Sequence, residues 1–284
     1  MPTPKTIDSL ALIIGAMKAG TTSLYALLSQ HPEICPCAEK EAHFFSRDDR
    51  WSRGLGWYYS LWKFDPATHR VALEATPTYA SHTRRPEVVD RIAEAQADTQ
   101  GTFRFIYIMR DPVARIESQL RHRLTTGQPV QRDGASYVLR PFMIDASRYA
   151  TQLDPYRERF GAASLLLLRF EDLRDDPNAL LRRTCAFLGV DPSHTFERAG
   201  KRYNESRRNH PIVHWAGSNA IASRMVRAIP APLRARAGAA LARRVEPVTL
   251  PESQRESIRT ELRDDMRRLR EEYGVDTSVW HTAD

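Results

Sequence analysis

Cysteine is scarce in this chain: Cys35, Cys37 and Cys185 are the three among 284 residues. They are too few and too unevenly spaced for a disulfide framework, and the CPC triplet lacks the second ligand pair that a zinc site needs, so no metal is expected. No run of about twenty apolar residues occurs, so no transmembrane segment is expected. The N-terminal MPTPKTIDS has no basic n-region followed by an apolar h-region, and no anchor. The expectation from that is a cytoplasmic protein. Internal repeats and low-complexity tracts are also missing.

Acidic residues are in the minority, 35 against 42 Lys and Arg, for a net charge of +7 carried almost wholly by arginine. That balance suits an anionic ligand. It does not point to nucleic acid, because no zinc-finger, RNP-type or basic-zipper pattern accompanies it.

The remaining pattern is strand–helix alternation. Near-continuous apolar runs at Leu10 to Ile14, Val71 to Leu73, Phe103 to Met109 and Leu165 to Arg169 read as strands of a parallel sheet covered on both faces. Helical periodicity falls at Thr21 to Ser29, Pro86 to Ala97, Pro112 to Leu124, Tyr149 to Phe160, Asn178 to Leu188 and Glu252 to Tyr273. Pro112 and Pro177 each follow an aspartate, a helix start with Asp at N-cap and Pro at N1. The expected fold is α/β, a single domain over 1–284 with a central, mainly parallel sheet flanked by helices. Two stretches interrupt it: a polar, irregular Thr125 to Ser147, read as a lid or binding loop, and the Arg- and Asn-rich Lys201 to Pro211. Ser223 to Val245 reads as a solvated basic helix pair.

Most of the chemistry is expected in LALIIGAMKAGTTSLYALLSQHP, Leu10 to Pro32: a buried strand, a glycine turn, then a helix whose first N–H groups face an anion. Gly15 and Gly20 stand at GxxxxG spacing, yet Thr21 occupies the position where a Walker A loop needs lysine. The loop's lysine is Lys18. Arg110 closes an apolar strand, where ligands bind in open α/β sheets. Ser118, eight residues on, is about two helical turns away and can face the same side. In KEAHFF, Lys40 to Phe45, Glu41 and His43 offer a carboxylate and an imidazole to accept a proton; if the segment is extended, both share a face with Lys40 opposite. Trp51, Trp57, Tyr58, Tyr59 and Trp62 follow, as a local core or as a stacking platform.

KxGTT after a strand resembles the 5′-phosphosulfate loop of sulfotransferases that use 3′-phosphoadenosine-5′-phosphosulfate (PAPS). FIYIMRDP with Ser118, LLLLRFEDL at Leu165 to Leu173 and the terminal SVW at Ser278 to Trp280 agree in order, so the resemblance covers most of the chain. KEAHFF resembles the acceptor-side motif of the Golgi-type carbohydrate branch, heparan sulfate sulfotransferases included, and of related bacterial enzymes. The resemblance implies a P-loop-NTPase-like sulfotransferase fold and PAPS as co-substrate, with adenosine 3′,5′-bisphosphate as product. It implies that Lys18, Ala19, Gly20, Thr21, Thr22 and Ser23 hold the phosphosulfate. Arg110 and Ser118 would hold the 3′-phosphate, and Tyr149, Lys201, Arg202, Asn204 and Arg207 are further nucleotide-side candidates. Lys18 would stabilise the leaving group, and either Glu41 or His43 would be the base, with Glu41 matching the family's. One departure is Ala75, which stands in EATPTY where heparan sulfate enzymes carry lysine, so heparan-type specificity does not transfer with the motif.

The expected function is therefore metal-free sulfuryl transfer to a hydroxyl of a carbohydrate, glycolipid or secondary metabolite. Two other readings compete. A P-loop kinase or NTPase would need an acid near Arg110 to hold Mg²⁺. A non-catalytic polyanion binder would interleave aromatic and basic residues on one surface. Neither the acceptor nor the oligomeric state is written in the sequence.

Overall fold

The computed structural model describes residues 7–197 and 247–280, together with the backbone of 207–208 and 243–244. Five parallel strands form the central sheet: β1 (Ser9–Gly15), β2 (Ile34–Pro36), β3 (Val71–Ala75), β4 (Thr102–Met109) and β7 (Leu165–Arg169), in the order β2-β3-β1-β4-β7. The four expected strands are all present. β2 was not expected. Its three residues are too few to show periodicity, and Pro36 is tolerated because β2 lies at the sheet edge.

Strand alternation divides the core between two faces. Leu10, Leu12 and Ile14 of β1, with Phe103, Phe105 and Tyr107 of β4, pack on one side. There they meet α4 (Glu87–Thr99), α5 (Pro112–Thr125), α7 (Tyr149–Phe160) and the long terminal α10 (Glu252–Tyr273) through Ile92, Ile116, Leu153 and Leu262. Ala11 and Ile13, with Ile106 and Ile108, face the other side and meet α1 (Thr21–Leu28) and α9 (Pro177–Leu188) through Leu24, Leu181 and Leu188. Burial on both faces is why these strands read as unbroken apolar runs.

Both Asp-Pro starts are real caps. Asp111 Oδ1 accepts from the Ala114 N–H at 2.7 Å, and Asp176 Oδ1 accepts from Ala179 N–H at 3.0 Å. The 125–147 stretch is more regular than expected. It holds a hairpin of β5 (Arg132–Asp133) and β6 (Ser136–Tyr137), then a short α6 (Pro141–Asp145). The hairpin is held by Gln254 of α10, whose side chain bonds both the N–H and the C=O of Tyr137. Between β2 and β3 lie two short helices, α2 (Asp48–Trp51) and α3 (Gly54–Tyr59), and α8 (Phe170–Asp175) follows β7 directly. β8 (Arg207–Arg208) pairs antiparallel with β9 (Arg243–Arg244). Among the described residues no helix is long and apolar enough to cross a membrane.

Candidate active site

The chain crosses β1 when it passes from β3 to β4, so the carboxyl end of β1 is the sheet's switch point, where open α/β sheets bind ligands. The 15–20 loop starts there. A Cβ on Gly15 would overlap the Tyr107 ring, and one on Gly20 would come within 2.6 Å of Phe170 Cδ2 at a φ of +97°. Glycine is required at both ends because the loop lies against the sheet. Gly20 is the N-cap of α1 and offers no side-chain acceptor, so the first N–H groups of that helix stay free for a ligand. Lys18 is half-buried in the loop at a φ of 71°. Burial pulls its pKa down to about 8; Glu41 opposes that shift, and Lys40 and Arg121 add to it.

The Lys40 to Phe45 segment is a turn, so the condition under which Glu41 and His43 would share the face of an extended strand is not met. Glu41 and His43 have φ of 56° and 53°. Phe44 and Phe45 explain it: both are wholly buried, and in an extended chain neighbouring side chains point to opposite faces. Phe44 stacks on Tyr58 at 4.3 Å, and Phe45 meets Tyr79 edge-on at 5.5 Å. Of the aromatic cluster, Tyr58 and Trp62 are therefore core beneath the turn. The turn's backbone is pinned from β3. The buried Glu74 carboxylate accepts from the hydroxyls of Tyr58, Tyr79 and Thr76. The Thr76 and Tyr79 oxygens in turn accept from the N–H groups of His43 and Phe45 at 3.5 and 3.4 Å.

Within the turn, His43 Nε2 lies 3.7 Å from Glu41 Oε2, and its Nδ1 is 3.3 Å from Ser46 Oγ. Burial lowers the His43 pKa and Glu41 opposes it, so the imidazole is neutral near pH 7. Lys40 Nζ donates to Thr22 Oγ1 at 2.8 Å, joining this turn to the first turn of α1. Three of the four non-glycine residues with positive φ among the described residues are Lys18, Glu41 and His43. Backbone strain of this kind collects at functional sites.

The third part is the end of β4. Arg110 is partly buried, with its guanidinium 4.8 Å above the Phe170 ring and its pKa lowered by burial. It forms no ion pair with Asp111, whose carboxylate caps α5 instead. Tyr149 is fully buried behind it and donates its hydroxyl to the Arg110 carbonyl at 2.7 Å, so its side chain positions Arg110 from the core side. Glu171 accepts from the Asp111 N–H at 3.3 Å and from Trp280 Nε1 at 2.9 Å. The 165–173 and 278–280 motifs thus meet at the Arg110 strand end.

Ser118 is half-buried on α5, and Ala19 and Thr21 are buried, with Thr22 and Ser23 half-buried in the first turn of α1. Lys201, Arg202 and Asn204 lie outside the described residues; Arg207 is described only through its backbone pairing with Arg244 in β8–β9. Two further arginines of α5 reach the site. Arg115 is fully buried and donates to Met17 O in the loop, Gln119 Oε1, Ser147 Oγ and Met143 O. Arg121 carries charge that acts on both Lys18 and Arg110. Helical register held that signal, since Arg121 is one turn beyond Ser118. Among the described residues no three His, Cys, Asp or Glu side chains gather as metal ligands.

A sequence model of the sulfotransferase family matches residues 11–194 of this chain, the stretch that holds the loop, the turn and the Arg110 strand end. The chain belongs to the sulfotransferase family. Its relatives include the mouse heparan sulfate glucosamine 3-O-sulfotransferase 3B1, 31% identical over 191 residues that are 63% of this chain and 46% of that protein. Another is the human bifunctional heparan sulfate N-deacetylase/N-sulfotransferase 3, 27% identical over 216 residues, 69% of this chain and 24% of that one. The chain spans about half the length of the 3-O-sulfotransferases it matches. Its fold is similar to that of a sulfotransferase from Alicyclobacillus acidocaldarius, with a TM-score of 0.66 at 23% identity, covering 96% of this chain and 98% of that one. The α/β sulfotransferase fold expected from the motifs is the fold observed.

Proposed function

We propose that this sulfotransferase-family chain transfers a sulfuryl group from PAPS to a hydroxyl of its acceptor, a carbohydrate before a glycolipid or a secondary metabolite. The observation that carries the reading is the Lys40–Thr22 hydrogen bond, which ties the Glu41 turn to the first turn of α1 beside the Lys18 loop, with the Glu41 charge acting on Lys18. The residues fit an extended anion: an uncapped helix start, Lys18 in the loop, and Arg110, whose guanidinium lies over the Phe170 ring and forms no ion pair among the described residues. A phosphoryl-transfer site would want an acid at the β4 end, where Arg110 stands while Asp111 is used as a cap.

PAPS supplies an activated sulfuryl group and a separate 3′-phosphate. Glu41 accepts the proton of the acceptor hydroxyl as its oxygen bonds to sulfur. The bond from sulfur to the bridging phosphate oxygen breaks in line, and Lys18 with the α1 N–H groups stabilises the charge left there. Arg110 and Ser118 hold the 3′-phosphate. His43, neutral and 3.7 Å from Glu41, orients that carboxylate. The products are a sulfate ester and adenosine 3′,5′-bisphosphate. A carbohydrate acceptor is favoured because the relatives named above act on a glycan, although Ala75 removes the lysine of the heparan-type pattern.

The test is transfer of labelled sulfate from PAPS to a panel of hydroxyl acceptors. Glu41→Gln should lower turnover about 10²- to 10⁴-fold while leaving adenosine 3′,5′-bisphosphate affinity near wild type. Unchanged turnover in that variant would remove Glu41 as the base.

A further inference from the structure

Each arginine head on α5 is accounted for except one. Arg115 is satisfied by four oxygens, and Arg123 donates to Pro129 O at 2.9 Å. Arg121 is half-buried, its Nε is sealed from solvent without a hydrogen-bond partner, and it makes no ion pair among the described residues. It sits one helical turn past Ser118 on α5.

Its surroundings are cationic. Arg121 acts electrostatically on Lys18 and on Arg110, the two residues proposed for the two ends of the donor. The nearby carboxylates face the other two cations, Glu41 toward Lys18 and Glu171 with Asp111 toward Arg110. A partly dehydrated guanidinium without a hydrogen-bond partner on its Nε, beside two further cations, is favoured by an anion that binds all three. A guanidinium fork matches two oxygens of a phosphate.

We propose that Arg121 is a third donor-binding residue, spanning the gap between the Lys18 and Arg110 subsites and contacting the phosphate oxygens of the nucleotide. This assignment rests on the PAPS reading above. Arg121 thereby lowers the stability of the empty protein and raises its affinity for the nucleotide.

The experiment is calorimetric titration of adenosine 3′,5′-bisphosphate into the full chain and into Arg121→Gln, Arg121→Lys and Arg110→Gln, with thermal melts of each protein with and without the nucleotide. Arg121→Gln should bind about 10- to 100-fold more weakly, with Arg121→Lys in between. The melting temperature of the empty Arg121→Gln protein should equal or exceed wild type, and its nucleotide-induced rise should shrink. If Arg121→Gln binds as tightly as wild type while Arg110→Gln does not, the assignment falls and the PAPS reading stands. If Arg121→Gln melts lower when empty and loses affinity only in proportion, Arg121 is structural and the assignment also falls. If wild type does not bind the nucleotide, the PAPS reading fails and takes this assignment with it.

Discussion

Lys18 should make nucleotide binding depend on pH in a window where few other groups titrate. Its pKa in the empty protein is about 8, because burial and the neighbouring Lys40 and Arg121 outweigh the pull of Glu41. A bound phosphate would stabilise the ammonium and raise that pKa again, so binding takes up a proton once Lys18 has lost its own. Below pH 8 the ammonium is present in both states and affinity is flat. Above pH 8 the free protein must first be protonated, and affinity falls about tenfold per pH unit, or about 1.4 kcal/mol, until the pKa of the complex is reached. From pH 7 to pH 9 the expected loss is about tenfold. His43 and His122 do not contribute, since burial lowers both below the ordinary histidine value and they are neutral throughout. The assay is titration of adenosine 3′,5′-bisphosphate at several pH values, with Lys18→Arg beside wild type, because a guanidinium does not titrate in this range. Flat affinity in wild type, or an equal fall in Lys18→Arg, would refute the reasoning.

Three further outcomes follow from the same geometry. Lys18→Met should stabilise the empty protein at pH 7 by about 1–2 kcal/mol, a figure already reduced for the side chain's partial exposure, because a lowered lysine pKa means the folded state disfavours the charge; the difference should vanish as pH rises from about 8 toward 10.5. Urea melts at both ends of that range check it. Asp265→Ala should cost about 2–4 kcal/mol in urea unfolding, since the buried carboxylate accepts from Ala150 N–H, Thr151 N–H and Thr151 Oγ1. The same change should weaken nucleotide binding, because that cap sets the start of α7 and with it Tyr149 behind Arg110. Gly20→Ala should destabilise by about 1–3 kcal/mol through positive φ and contact with Phe170, and a normal urea midpoint would contradict the tight loop.

The sheet was legible because β1, β3, β4 and β7 are buried on both sides, which leaves unbroken apolar runs in the sequence. The Asp111–Pro112 and Asp176–Pro177 starts were legible because a cap is a local interaction. The loop residues Lys18 to Ser23 were readable as a unit for the same reason. The acceptor-side turn was not. Its shape is dictated by two adjacent phenylalanines that both enter the core, and nothing in KEAHFF itself announces left-handed backbone at Glu41 and His43. The joining of Glu171 to Asp111 and Trp280 spans 60 and 109 residues of sequence, so the motifs could be seen separately but their contact could not. Arg121 was overlooked because an arginine on an amphipathic helix looks solvated until its Nε is found buried and unpaired.

The central claim is that this site binds a nucleotide by its 3′-phosphate for sulfuryl transfer. The most direct measurement is a calorimetric comparison of adenosine 3′,5′-bisphosphate, adenosine 5′-monophosphate and ATP with Mg²⁺ on the wild-type chain. The account predicts tight, Mg²⁺-independent binding of the bisphosphate and a loss of at least about tenfold when the 3′-phosphate is removed. Equal binding of bisphosphate and monophosphate, or binding of ATP only with Mg²⁺, would contradict it.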